Sequence, residues 1–268
     1  MQQFYDAGSG WVQQSESGLD RARQFGDGLF ETIRLDGCGN APLMDLHLER
    51  LALGLRALRF SDAATATVIE AFQSLTLPAG PTGCKLLISR GTGARGYGFS
   101  KDLQPDISAS FFFAPAFMNS GMRIGISEVR LSNQPLLAGH KHLNRLEQVL
   151  AREAFLSDWQ EALMFDYSGL LIEGCMSNVF LNVDGEWLTP ELTGSGIRGV
   201  VRRWLMERHP SIREVPLSAG ELAQASAVVL TNSLMGIRTV SSINDRTLSG
   251  SAEAVSWQKE YTELFDEY

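Results

Sequence analysis

Residues 161–190 read EALMFDYSGLLIEGCMSNVFLNVDGEWLTP, two segments dense in Leu, Val and Phe. Each is broken by a turn signal, Ser168-Gly169 in the first and Asp184-Gly185 in the second. Short apolar runs punctuated in this way fold back as antiparallel hairpins. The stretch therefore predicts a meander with its strands side by side. Further strand-like runs fall at 30–35, 84–90, 107–114, 122–131 and 227–232, and they alternate with segments of helical period. Leu48, Leu51, Leu55 and Leu58 share one helical face, and a second helix is expected over 62–75. KHLNRLEQVLAREAFL predicts a helix that Lys141 begins, with Leu143, Leu146, Leu150 and Ala154 on one side. GSGIRGVVRRWLMERHP continues with helical period through Val200, Val201, Trp204 and Leu205 and stops before Pro210. Ser218 and Glu221 have capping-box spacing. The class is mixed α/β.

APAFMNSG reads as a linker, which divides the chain into a smaller N-terminal α/β domain (1–114), a connection (115–121) and a larger C-terminal domain (122–268). At 268 residues and 44% hydrophobic composition there is material for two cores. No run approaches the ~20 apolar residues of a membrane helix, and MQQFYDAGSG lacks the layout of a secretory signal, so a cytoplasmic location is expected. Cys38, Cys84 and Cys175 form no CxxC pair, which argues against a disulfide framework or a zinc site. A net charge of −8, with no basic run to override it, disfavours nucleic acid and anionic membranes. A small-molecule partner is left.

Several motifs are weaker than they look. GTGARG, residues 91–96, matches GxGxxG, but no helix opens after it and no acidic residue ends a strand about 20 residues on, so a flexible, substrate-facing loop is the better expectation. His140-Lys141-His142 lacks a carboxylate at ligand spacing, and no metal is expected. No GxSxG elbow is present. Other residues combine more productively. Lys141 lies in apolar company, where desolvation makes an amine nucleophilic. Glu173 is an acid in a run fit for burial, and a buried carboxylate needs a cationic partner. Ser195-Gly196-Ile197-Arg198 offers backbone N–H groups before a helix, a cradle for phosphate, and Arg50 can add a bidentate clamp. Lysine, carboxylate and anion site are what pyridoxal 5'-phosphate requires, although spacing alone does not name that cofactor.

The same residues lie in blocks that resemble the fold type IV pyridoxal phosphate enzymes, a family that includes D-amino acid and branched-chain aminotransferases and 4-amino-4-deoxychorismate lyases. DRARQFGDGLFETIR, LHLERL, ISRGTGARGYG, LAGHKHLNRLEQVLAR, EALMFDYSGLLIEGCMSNVF and GSGIRG occur in the family's order over nearly the whole chain. KHLNRLEQVL is most similar to the lyases, whereas Gly174-Cys175-Met176 departs from their pattern. The resemblance implies two domains with the cofactor between them and a homodimer that completes each site. It implies Lys141 as the Schiff-base lysine, Glu173 on the pyridine nitrogen and Arg50 on the phosphate, with backbone at Ile197 and Arg198 and the side chain of Asn232 as further donors. Thr32 falls where the lyases carry a threonine close to the reacting centre. The implied reaction converts 4-amino-4-deoxychorismate to 4-aminobenzoate and pyruvate, with an aminotransferase of the same fold as the alternative and a catalytically silent binding module as a third possibility. Arg34, Arg90 and Arg95 are candidates for the substrate carboxylates, since a dicarboxylate needs cationic forks in an acidic protein.

Overall fold

The computed structural model describes residues 3–6, 10–13 and 20–265. The opening MQQFYDAGSG and the end of the chain thus lie partly outside the described residues. Strands β1 (Gln3–Asp6) and β2 (Gly10–Gln13) pair antiparallel. A short helix α1 (Arg21–Phe25), capped by Asp20, leads into β3 (Gly28–Arg34). Helices α2 (Met44–Ala57) and α3 (Asp62–Gln73) follow, then β4 (Gly83–Ser89) and β5 (Asp106–Phe112). The last two strands join β3 in a three-stranded antiparallel sheet.

Alternation along β3 puts Leu29 and Ile33 on its inner side with Leu51 and Leu55 of α2, Val68 and Phe72 of α3, and Leu86 and Ile88 of β4. Gly54 makes the helix–sheet contact close: a Cβ there would stand 3.0 Å from Leu29 Cδ1. These leucines are the ones the sequence placed on one helical face.

The second sheet has nine strands. They are β6 (Met122–Leu131), β7 (Glu161–Asp166), β8 (Leu171–Gly174), β9 (Asn178–Val183), β10 (Glu186–Pro190), β11 (Arg213–Val215), β12 (Ala227–Asn232), β13 (Gly236–Ile243) and β14 (Arg246–Thr247). Their order is β11-β10-β9-β12-β13-β6-β7-β8, with β14 on β13. Four helices complete this half: α4 (Leu146–Glu153), α5 (Val200–Arg208), α6 (Ala219–Gln224) and α7 (Ala252–Glu263). Both faces are covered at β7, β9 and β12, so these strands are buried along almost their whole length. Val179 and Leu181 of β9 face one cluster with Val228 and Leu230. Phe180 and Val229 face the other, with Trp204 of α5 and Trp257 of α7.

Two expectations need correcting. Residues 161–190 form two hairpins, β7–β8 and β9–β10, the second turning through Asp184 and Gly185 with φ of 51° and 87°, but β8 and β9 do not pair. They stand five places apart in the sheet order, roughly 24 Å if the sheet were flat. The three residues between them span at most about 14 Å, so the sheet must curl into a half-barrel. The helix expected from Lys141 also begins later, at Leu146. Lys141 and Leu143 are held extended instead: Phe30 N–H donates to Lys141 O at 3.0 Å and Leu143 N–H to Gly28 O at 3.1 Å. The helix buries Ala151, whereas Leu146, Val149 and Leu150 are exposed.

Candidate active site

The segment carrying Lys141 is a seam between the two sheets. On one side it pairs with β3 as described. On the other, Gly139 N–H donates to Gly196 O at 2.8 Å and Arg198 N–H to Gly139 O at 3.0 Å. Gly139 has φ +83°, and its hydrogens face the Arg198 side chain at a distance that a Cβ would cut to 3.2 Å. Lys141 Nζ lies 4.3 Å from the centroid of the Phe30 ring. Its pKa is lowered to about 8, first by burial and then by Arg50 and Arg145, against the opposing pull of Glu31 and Glu173. A usable fraction of this amine is therefore unprotonated near neutral pH.

Glu173, on β8, is 4% exposed. Its Oε2 accepts from Ile197 N–H at 2.8 Å, and Oε1 has no hydrogen-bond partner among the described residues. Burial raises its pKa to about 7, opposed by the Ile197 amide, Arg145 and Lys141, while Glu161 pushes the same way as burial. A carboxylate so placed gains most from a cation at its open oxygen, and a protonated pyridine nitrogen is such a cation.

Arg50 projects from α2, where Glu31 of β3 grips it bidentately, Nε to Oε1 at 2.8 Å and Nη2 to Oε2 at 2.5 Å. Its Nη1 reaches Arg198 O at 3.3 Å. His47 adds a 2.7 Å contact from Nδ1 to Glu31 Oε2. Burial would raise the Glu31 pKa, but Arg50 and His47 outweigh it and hold it at about 2. The pKa of His47 is lowered, chiefly by burial despite Glu31. The imidazole is therefore neutral and donates through Nδ1–H, and Arg50 supplies the charge that keeps Glu31 ionised. Neither Glu31 nor His47 was singled out from sequence, yet a signal was there. Glu31 shares the alternation of Leu29 and Ile33, and His47 precedes Leu51 by one helical turn, so both are polar residues at core positions.

The loop before α5 differs from the expected cradle. The N–H groups of Ile197 and Arg198 are not free, because the first serves Glu173 and the second Gly139. Asn232 is also engaged: Nδ2 donates to Met176 O at 3.0 Å, and Oδ1 accepts from the N–H groups of Leu234 and Met235. The same region offers two buried hydroxyls without partners, Ser195 Oγ and Thr231 Oγ1. Ser195 belongs to the loop. Thr231 pairs in register with Asn178, whose Nδ2 donates to Ile197 O at 2.8 Å. With Arg50 against Arg198, these donors suit a phosphate, and the whole set fits pyridoxal phosphate.

Thr32 lies on the same face of β3 as Phe30 and Arg34, since Glu31 and Ile33 take the buried alternate positions. Arg34 Nη1 donates to Pro115 O at 2.6 Å and Leu234 O at 2.8 Å, its guanidinium lies 4.0 Å from the centroid of Phe117, and its Nε is buried without a partner. Arg90 is removed from the substrate candidates. It is 5% exposed, pairs with Asp27 at 2.8 Å, bonds the carbonyls of Leu58 and Arg59, and lies between Phe60 and Phe99. Arg95 is exposed and makes no hydrogen bond or ion pair among the described residues. The glycine-rich loop around it is tied down by Arg21, an unforeseen residue that bonds the carbonyls of Gly96, Tyr97 and Gly98 and pairs with Asp27. No helix follows this loop, in keeping with the rejected dinucleotide motif.

The family model for class IV amino-transferases matches residues 28–243. The chain is 37% identical to an aminodeoxychorismate lyase of Vibrio harveyi over 84% of its own length and 86% of that protein's. It is 26% identical to a D-alanine aminotransferase of Bacillus licheniformis over 87% and 84% of the two chains. Among solved structures, a 4-amino-4-deoxychorismate lyase of Pseudomonas aeruginosa superposes with a TM-score of 0.83 at 34% identity, covering 94% of this chain and 96% of that one.

Proposed function

The chain belongs to the class IV amino-transferase family, and from that membership we propose that it is a pyridoxal phosphate-dependent lyase converting 4-amino-4-deoxychorismate to 4-aminobenzoate and pyruvate, a step toward folate. Its fold is that of the fold type IV enzymes. The observation that carries lyase over aminotransferase is the likeness to the V. harveyi enzyme, closer in identity than the likeness to the aminotransferase and spread over most of both chains.

When bound, pyridoxal phosphate supplies an electron sink conjugated to the substrate's amino nitrogen. The protein's own groups do the rest. Lys141 Nζ would hold the cofactor. As a free amine, its pKa lowered to about 8, it would be the base that takes the proton from the carbon bearing nitrogen. Glu173 keeps positive charge on the pyridine nitrogen. Arg50, with the hydroxyls of Ser195 and Thr231, would anchor the phosphate; the amides of Ile197 and Arg198, bonded to Glu173 and Gly139, hold the loop in place, and Asn232 shapes the neighbouring turn. As the bond from the ring to the enolpyruvyl oxygen breaks, the ring becomes aromatic. Thr32 or Lys141 returns a proton to the departing methylene, giving pyruvate. Arg34 and Arg95 remain the cationic candidates for the substrate carboxylates.

A second copy covers the face formed by Leu146, Val149 and Leu150, whose exposures of 76%, 59% and 61% are unusual for one contiguous helical patch. Residues 115–121 link two domains, a division supported by the separate sheets on either side. The enzyme works in the cytoplasm, which the buried thiols of Cys84 and Cys175, outside any disulfide, favour. No helix among the described residues is long and apolar enough to cross a membrane.

The test is a visible spectrum of the purified protein with added cofactor, before and after borohydride, beside Lys141→Ala, followed by an assay with 4-amino-4-deoxychorismate. Pyruvate and 4-aminobenzoate in equal amounts are expected. Amino transfer to 2-oxoglutarate as the sole activity overturns the lyase, and a wild type that takes up no cofactor overturns both enzymes.

A further inference from the structure

Pyridoxal phosphate presents four polar points around its ring. The aldehyde carbon and the ring nitrogen lie opposite each other, and the phosphate arm and a phenolic oxygen flank the aldehyde on either side. On the reading above, Lys141, Glu173 and Arg50 take three of these. The fourth needs a donor, and the phosphate side is already fixed.

The seam has a direction. At Gly139 it is bonded to the loop at residues 196–198, where Arg50 reaches Arg198 O. It then passes Lys141 and runs away from that loop to Arg145, the residue before α4. Arg50 and Arg145 therefore flank Lys141 from opposite ends of the segment. Arg145 is also a cation without a counter-ion, since no carboxylate lies within ion-pair distance of it among the described residues. Its Nε is buried and has no hydrogen-bond partner. Its Nη2 is held against the His142 ring, 2.5 Å from Nε2 and 3.1 Å from Nδ1. Burial, Arg145 and His140 keep that imidazole neutral, with its pKa lowered to about 3, so it accepts from the guanidinium and steadies the fork. Arg145 lies near enough to Lys141 and Glu173 to act electrostatically on both.

We infer that Arg145 donates to the phenolic oxygen of the cofactor and holds it as the phenolate. Glu173 and Glu147 favour the Arg145 charge from a distance, but no carboxylate touches it; a half-buried guanidinium without a direct anionic partner is costly to keep, and an oxyanion at this point offsets that cost. With the phenolate paired, the nitrogen joining Lys141 to the cofactor loses its proton more readily, because a nearby cation favours the more negative form.

The experiment uses holoenzyme and two probes. In Arg145→Gln the cofactor should remain borohydride-reducible. The pH midpoint between its long- and short-wavelength bands should rise by about one unit or more, and Arg145→Lys should restore part of the change. Wild type should bind 3-deoxypyridoxal 5'-phosphate, which lacks the oxygen, about tenfold or more weaker than pyridoxal phosphate; Arg145→Gln should bind the two alike. An unchanged midpoint, with only the KM for substrate raised, overturns the inference and makes Arg145 a substrate-carboxylate residue. If Arg145→Gln does not fold, the analogue still decides on wild type, and equal binding of both cofactors overturns the inference. A wild type that takes up neither cofactor is instead a failure of the proposed function.

Discussion

Glu31→Gln isolates the charge of the Glu31–His47–Arg50 cluster while keeping its shape and an acceptor for His47. In the native protein the Glu31 carboxylate, 1% exposed, accepts two bonds from Arg50 and one from His47. Its pKa falls from the ordinary 4.5 to about 2. At about 1.4 kcal/mol per pKa unit, that difference corresponds to about 3 kcal/mol favouring the folded state. Breaking a buried ion pair by removing one charge costs a comparable ~3–5 kcal/mol. Because the folded pKa is depressed, the contribution is complete above pH 4.5 and is lost as pH falls through about 2. Urea denaturation of the cofactor-free protein, followed by circular dichroism, should show Glu31→Gln less stable than wild type by about 3 kcal/mol at pH 7, and the gap should narrow by about 1 kcal/mol at pH 3.5. A variant within 1 kcal/mol of wild type at pH 7, by the same ~1.4 kcal/mol scale, refutes the reasoning. So does a deficit that does not shrink on acidification.

Glu173 has the opposite sign: its pKa is raised to about 7, so its protonated form favours the fold below pH 4.5 and that contribution is lost as pH rises through 7. Cofactor-free Glu173→Gln should therefore be more stable than wild type at pH 8 by about 3 kcal/mol, while turnover falls about 100-fold or more; a less stable variant at pH 8 contradicts the buried, half-unpaired carboxylate. The rate at which cofactor-free protein takes up pyridoxal phosphate should rise with pH around a midpoint near 8, and a profile still climbing toward 10.5 would show an ordinary lysine. Arg90→Ala should cost about 3–5 kcal/mol of stability and leave the KM of the folded fraction unchanged, whereas a large KM increase with intact stability returns Arg90 to the substrate. Paired Leu146→Glu and Leu150→Glu substitutions should convert a dimer to monomer in analytical ultracentrifugation without altering circular dichroism, and a persistent dimer moves the interface elsewhere.

What could be read from the chain alone follows the range of the interactions concerned. Local chemistry was legible. The Asp184-Gly185 turn, the Ser218–Glu221 capping box and the leucine face of α2 depend on residues a few positions apart, and all are present. Glu173 stood out because an acid in an apolar run is rare whatever surrounds it. Long-range pairing was not legible. Leu143, Leu146 and Leu150 carry helical spacing, yet residues 141–143 give their backbone groups to β3, more than a hundred positions away. The break between β8 and β9 has a similar origin: the buried carboxylate of Glu161 accepts from the N–H groups of Ala162 and Met176 and from the Ser177 hydroxyl, so the turn at 175–177 is organised around an acid lying before it in sequence. A count of arginines could not reveal which ones Asp27 or a carbonyl had already claimed.

The seam brings Lys141 and Glu173 from the larger half against Arg50 and Thr32 from the smaller one, so the site exists only while the two halves keep their spacing. Three arginines serve this purpose. Arg50 Nη1 reaches across to Arg198 O, Arg203 pairs with Glu49, and Arg34 holds Pro115 O and Leu234 O together. Of the three arginines proposed for substrate carboxylates, Arg90 is consumed in the smaller half and Arg95 stands exposed on a loop held by Arg21. Arg34 alone combines a tie to Pro115 O and Leu234 O with a buried donor still unused, on the strand face that carries Thr32. A substrate carboxylate bonded there would be sensed by the same guanidinium that holds Pro115 O and Leu234 O together. On the proposed function, binding of the correct substrate and assembly of the site would then be coupled through one residue.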